Sequence, residues 1–272
     1  TLELAGRTLT LEVGRFAGRA TSAVFARYGD TTLLATVVLG KEDLKKDYFP
    51  LSVEYQERLY AGGRIKGSRW VKREGRPTDA EVLSGRLIDR SIRPLFPKSL
   101  KNEVQVIITV LSVDTANDAD VLGLIATSAA LAISPVPWNG PVAAVRMGLA
   151  DGKLVLNPEN GNRAGVDLDL VVTSSDAVIP MIEAGANQIP EATVLEAIKT
   201  GFAENKKIIS LINDLVKEVG KDKISVAVRE RNPELVSQVQ KAAKDLKDEA
   251  EIEPLVLSFD SKDQTEVKEI VE

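Results

Sequence analysis

The stretch "RPTDAEVLSGRLIDRSIRPLFP", residues 76–97, decides how this chain is read. Thr78 followed three positions later by Glu81 is a capping box, and an acid, Asp79, sits in the first turn. Pro94 closes the pattern, since proline cannot continue a helix. Between these signals Leu83, Leu87, Ile88 and Ile92 recur on one side, while Arg86, Arg90 and Arg93 recur at i, i+4 and i+7 on the other. The spacing predicts a helix that lays its apolar side on a sheet and lines three guanidiniums outward.

Just before it lies "GGRIKGSRWVKREGRP", residues 62–77. This segment gathers Arg64, Lys66, Arg69, Lys72, Arg73 and Arg76 against the single acid Glu74, among glycines that let it bend. From Arg58 to Lys101 there are twelve Lys/Arg and four Asp/Glu, yet the chain as a whole carries a formal net charge of -5. An acidic protein with one basic band aims that band at an anion. Gly62 and Gly67 have the spacing of a P-loop, but Ser68 stands where its lysine belongs, which excludes that reading.

The 272 residues are 44% hydrophobic and 28% charged, an ordinary globular composition. There is no cysteine and no histidine, so disulfides, Ser-His or Cys-His nucleophilic triads and His/Cys zinc sites are excluded. What remains is carboxylate, hydroxyl, Lys and Arg chemistry, or an oxygen-ligated metal such as magnesium. No apolar run is long enough to span a bilayer and no signal peptide is evident, so a cytoplasmic location without membrane association is expected.

Outward from the helix the chain reads as alternating strands and helices. "RTLTLEVGR" alternates as a half-buried strand. "SAVFARYGDTTLLATVVLG" reads as a hairpin turned at Gly29-Asp30, and "YFPLSVEYQER" as a strand leading to the basic loop. "EVQVIITVLSVD" is a buried strand, and "DADVLGLIATSAALAISPVP" a core helix stopped by prolines. "GPVAAVRMGLADGKLVLNP" is a hairpin turned at Asp151-Gly152. "VDLDLVVTSS" and "AVIPMIEAG" add two strands, and a long helix runs from Glu191 to Val219, ended by Gly220. This order predicts an α+β domain over residues 1–220. Residues 221–272 hold thirteen acids against nine bases, read as mostly helical, and end in "TEVKEIVE" without a cap, as at a fragment boundary inside a helical domain.

The segments "YGDTTLLATV", "FPLSVEYQER", "AGGRIKGS", "REGRP", "RLIDRSIRPLFP", "NEVQVI" and "PWNGPVAAVRMG" occur in the order found in the bacterial polynucleotide phosphorylase family, and the resemblance covers nearly all of residues 1–220. It implies an RNase PH-like fold (ribosomal protein S5 domain 2-like) for the first domain, followed by the N-terminal part of an α-helical linker domain over 221–272. The family joins two such cores through that helical domain and adds KH and OB-fold modules. It forms a homotrimeric ring with a central channel, and uses inorganic phosphate as co-substrate, with magnesium, to release nucleoside diphosphates from the 3′ end of single-stranded RNA. Some members recruit helicases or scaffolding endonucleases as RNA-degradation partners. The loop before "REGRP" grips the RNA backbone in the family. The matching positions are Lys72, Arg73 and Arg76, with Trp70 offering a stacking face, although "RWVK" departs from the family's phenylalanine pair and puts a lysine for the first arginine. Arg86, Arg90 and Arg93 are further candidates for RNA contact, the alternative being pairing with Asp79 and Asp89.

The same resemblance implies that an active core holds phosphate at a serine-rich helix N-terminus and metal on an acidic cluster followed by D-x-D. The corresponding segment reads "TANDADVLG", with Ala119, Asp120 and Val121 in place of serines. Asp118 and Asp120 satisfy the helix dipole themselves and repel phosphate. Asp167 and Asp169 retain the D-x-D spacing, but "ENGNRAG" replaces the acids upstream, so surface solvation or pairing with Arg163 is expected. Neither a catalytic nor a metal-binding residue is therefore assigned to this segment. The leading reading is part of a phosphorolytic 3′-to-5′ exoribonuclease that supplies ring architecture and RNA grip. The alternative is a non-catalytic RNA-binding and assembly module of an exosome-like ring. A self-sufficient tRNA-trimming enzyme is a third reading, and the aspartates at 118 and 120 speak against it.

Overall fold

A computed structural model describes residues 1–42, 48–65, 75–114, 116–150, 152–159, 167–226 and 233–248. The chain forms two compact units, Thr1–Val226 and Ala227–Glu272. In the second, the described element is a helix, α4 (Pro233–Asp248), with proline at its start and Glu234 in its first turn.

The first unit holds two sheets. One has six strands: β1 (Leu2–Leu4), β2 (Arg7–Val13), β3 (Ser22–Tyr28), β4 (Thr31–Glu42), β5 (Leu51–Glu57) and β6 (Asn102–Ser112), in the order β1-β2-β3-β4-β6-β5. Neighbours run antiparallel except β5 and β6, which are parallel. The other is antiparallel and contains β7 (Ala143–Ala150), β8 (Lys153–Leu156), β9 (Leu168–Ser174) and β10 (Met181–Ala186), in the order β10-β9-β7-β8. The expected hairpin at Gly29-Asp30 joins β3 to β4. Gly29 has φ +62°, and a Cβ there would run into the Asn117 amide.

Three helices complete the unit. α1 (Asp79–Ile92) spans the parallel crossover from β5 to β6, as its caps predict: Glu81 N donates to Thr78 Oγ1 at 3.2 Å and Thr78 N donates to Glu81 Oε2 at 2.7 Å. Trp138 Nε1 donates to Ile92 O at 3.1 Å, and Trp138 packs beside Phe96, itself against Phe49. The buried side of α1 is Gly85, Leu87, Ile88, Ser91 and Ile92. Leu83, expected on that side, is 63% exposed. At 100° per residue it falls nearer to Arg90 than to Ile88, so it shares the outward face with the arginines.

α2 (Ala119–Ile133) is buried along nearly its whole length and packs on β3, β4 and β7 as well as on α1 and α3 (Glu191–Val219). It is therefore the central layer between the two sheets, which its Ala- and Leu-rich sequence permits because it has no polar face to keep wet. α3 packs on β7 and β9. Residues 221–226, placed beyond the first domain by composition, lie within the first compact unit.

Candidate nucleic-acid face and a closed anion pocket

Two arginine-bearing regions stand out, and they differ in what surrounds the charge. The first lies at the N-terminus of α2. Asp114 builds the approach to it: Oδ1 accepts from Ala116 N and Asn117 N at 3.0 and 2.6 Å, and Oδ2 accepts from Asn117 Nδ2 and Asp30 N at 2.6 and 2.9 Å. Burial alone would raise the Asp114 carboxyl, but these four hydrogen bonds outweigh it and hold the group below the ordinary carboxylate value. The turn delivers Asp118 as the N-cap residue and Asp120 in the first turn of α2.

There Arg146, on β7 and 8% exposed, meets three carboxylates. Its Nη2 donates to Asp120 Oδ2 at 2.8 Å and its Nη1 to Asp169 Oδ1 at 2.7 Å. Nε lies 2.7 Å from Asp118 Oδ2 but is not aligned for a hydrogen bond, so that contact is an ion pair only. The backbone holds Arg146 in register: its N–H donates to Asn157 Oδ1 at 2.9 Å, and Asn157 N donates to Arg146 O at 2.7 Å.

This arrangement revises the reading of the aspartates. Asp118 makes no side-chain cap to the helix, and Asp120 turns an oxygen on a local amide, Val121 N at 2.6 Å. Asp169 pairs with Arg146; Arg163 lies outside the described residues. Sequence reasoning passed over Arg146, yet a signal was present. "PVAAVRMG" puts a guanidinium inside an apolar strand, where a buried cation demands carboxylate partners. Three carboxylates around one guanidinium leave an excess of negative charge, unfit for phosphate. The residues do not fit a magnesium ion either, since Asp169 already ligates the guanidinium, and among the described residues no group of three or more acids is arranged to hold a metal.

The second region is the outward face of α1. Arg76, just before the helix, and Arg86, on it, are exposed and have no ion-pair or hydrogen-bond partner among the described residues. Arg90 approaches Glu183 of β10 at 3.7 Å, with both side chains more than half exposed. Such a pair contributes little and is readily exchanged for another anion. Arg93 differs. It clamps Asp89 with Nε at 2.7 Å and Nη2 at 2.6 Å, and Nη2 also reaches Leu51 O at 3.2 Å. Pairing with Asp89 thus holds for Arg93 alone of the three. Lys72, Arg73 and Trp70 lie outside the described residues.

A groove of about 480 Å³ runs between β5 and α1, with Arg86 and Arg90 on its wall beside the acids Glu54, Glu81 and Asp89. Burial raises the Glu57 carboxyl above its ordinary value, and the charges of Glu81 and Asp120 add to it. Burial also pushes the Tyr55 phenol far above its ordinary value, reinforced by Glu57, Asp120 and Glu81. Glu81 ends below its own ordinary value, because hydrogen bonds from Thr78 and Glu57 and the Arg58 charge outweigh its burial.

Residues 5–137 match "3′ exoribonuclease family, domain 1", and residues 140–204 match domain 2 of that family. The chain belongs to the 3′ exoribonuclease family. Its relatives include the polyribonucleotide nucleotidyltransferase of Roseiflexus castenholzii, 53% identical over 82% of this chain and 30% of that protein. That of Heliobacterium modesticaldum is 45% identical over 100% of this chain and 38% of that protein. This 3′ exoribonuclease-family chain thus spans about a third of the length of the curated relatives it matches. Among solved structures, rice (Oryza sativa) Rrp46 superposes with a TM-score of 0.63 over 77% of this chain and 95% of its own, at 15% identity. That likeness establishes the fold: the first unit is α+β with the RNase PH architecture.

Proposed function

We propose that the chain is the N-terminal part of a phosphorolytic 3′-to-5′ exoribonuclease, a polyribonucleotide nucleotidyltransferase of mRNA degradation. In this reading inorganic phosphate attacks the terminal phosphodiester of single-stranded RNA and a nucleoside diphosphate leaves. This segment supplies RNA grip and ring architecture, and the chemistry belongs to another part of the polypeptide. The observation that carries the division of labour is the Arg146 cluster, which fills the anion pocket at the start of α2 with the protein's own charges. Magnesium accordingly belongs with the catalytic part. The names and 44–54% identities of the relatives support the overall activity.

RNA contact is assigned to Lys72, Arg73 and Arg76 of the basic segment and to Arg86 and Arg90 of α1, with Arg93 a weaker contributor because Asp89 already engages it. Closely spaced cations on one face neutralise successive phosphates whatever the base sequence. A homotrimeric ring, a cytoplasmic location and a helical linker role for residues 227–272 complete the proposal. Among the described residues no helix is long and apolar enough to cross a membrane.

The test is to incubate this chain with single-stranded RNA, phosphate and magnesium and to assay nucleoside diphosphates. Salt-sensitive RNA binding without product is expected. Sustained diphosphate release would overturn the claim that this core is catalytically closed.

A further inference from the structure

The end of α2 poses a problem that its own sequence does not solve. The last carbonyls of a helix need donors, and a buried helix end cannot borrow them from water. Here the chain continues as Ser134-Pro135-Val136-Pro137, and the two prolines carry no N–H. Ser134 serves only Leu131 O, through its N–H at 3.2 Å and its hydroxyl at 2.7 Å. Leu131, Ile133 and Ser134 are all buried.

The missing donors come from nearly ninety residues further along. Lys223 Nζ donates to Leu131 O at 2.8 Å, Ala132 O at 3.0 Å and Ser134 O at 2.7 Å. Lys221 N donates to Ile133 O at 3.0 Å and Ile224 N to Pro135 O at 2.9 Å. Lys221 Nζ adds a bond to Thr21 O at 3.1 Å. An ammonium at a helix C-terminus is also favoured by the helix dipole. Burial pulls the Lys223 ammonium down to about 8, so the three carbonyls hold it at a net cost of desolvation. Gly220 sets the direction of approach. Its φ is -63° and ψ 146°, and a Cβ there would strike Val216 O, so the chain turns off α3 without a left-handed cap.

We propose that residues 221–226 are a strap that closes the buried end of α2, with Lys223 as its latch. The strap lies on the surface of the first unit, held to it by these hydrogen bonds and by Val226, which packs against the core. Loosening it exposes the end of the central helix, so release of residues 221–226 and fraying of α2 are one event.

Residue-resolved hydrogen exchange on the whole 272-residue chain tests this. In the unaltered chain the amides of Lys221 and Ile224 are expected to exchange more slowly than unstructured amides, by about a hundredfold. Lys223→Met is expected to speed exchange across 221–226 and at Ser134 together, by about tenfold or more, while the middle of α3 stays protected. Lys223→Arg, which keeps the charge and donors, is expected to fall between. Free exchange of 221–226 in the unaltered chain overturns the proposal, as does Lys223→Met leaving both segments unchanged or loosening only one. Should Lys223→Met fail to fold, Lys221→Met, which removes the bond to Thr21 O, is expected to give a smaller joint acceleration; acceleration of one segment alone overturns the strap.

Discussion

Arg146 and Arg86 are the same residue type put to opposite uses. Arg146 is buried among Asp118, Asp120 and Asp169, and every side of its guanidinium is engaged within the fold. Arg86 stands in solvent on the outer face of α1 without a partner among the described residues. A buried charge is kept only if the protein neutralises it, and once neutralised it has nothing left for a ligand. An exposed charge adds little to stability and keeps its full capacity for an incoming anion. The comparison separates a charge that holds the core together from one that can serve function, and Arg93, clamped by Asp89 yet exposed, lies between.

The sharpest way to break the comparison is Arg146→Met. It would leave three carboxylates facing one another, with an expected loss of about 3–5 kcal/mol of stability by urea unfolding. A loss below about 1 kcal/mol would mean that the cluster is solvated rather than buried. Next comes Arg86→Ala with Arg90→Ala in a full-length protein carrying this segment. RNA affinity should fall by about tenfold or more, and the salt dependence should flatten by about 0.7 log units for each phosphate no longer neutralised, with stability changed by no more than about 0.5 kcal/mol. Arg93→Ala should weaken RNA binding less than Arg86→Ala does; the reverse order would refute the idea that pairing with Asp89 withdraws that cation. Thr78→Ala, which removes the cap that aims α1 and its arginines, should cost about 1 kcal/mol without altering the salt slope.

The smallest effect concerns Glu57. Its carboxyl is raised in the folded chain by burial and by Glu81 and Asp120, so its neutral form favours folding. That contribution is complete below the unfolded value of 4.5 and is lost as pH rises through the folded value. Glu57→Gln should therefore raise the urea midpoint near pH 7 and leave it unchanged near pH 4. A lowered midpoint at pH 7 would show that the Glu57 carboxylate is stabilised by a partner.

Much of the fold was readable because its signals are local. The capping box of α1, the Gly29 turn and the length of α3 are written within a few residues of where they act, and each element formed within a residue or two of expectation. Leu83 was misplaced because periodicity alone does not say how wide a strip of the helix the sheet covers. Asp118 and Asp120 were legible as acids at the start of α2 and Asp169 as half of a D-x-D pair, but their common partner was not. Arg146 lies 26 residues from Asp120 in sequence and reaches it only because β7 and α2 pack together.

The sequence by itself determined the elements, the α+β class and the position of the basic band, since propensity, capping and charge count depend on neighbours along the chain. Only the tertiary structure decided which cations stay open and which are consumed, and that α2 is closed by residues 221–224. Those outcomes depend on burial, and burial is fixed by what packs across the fold.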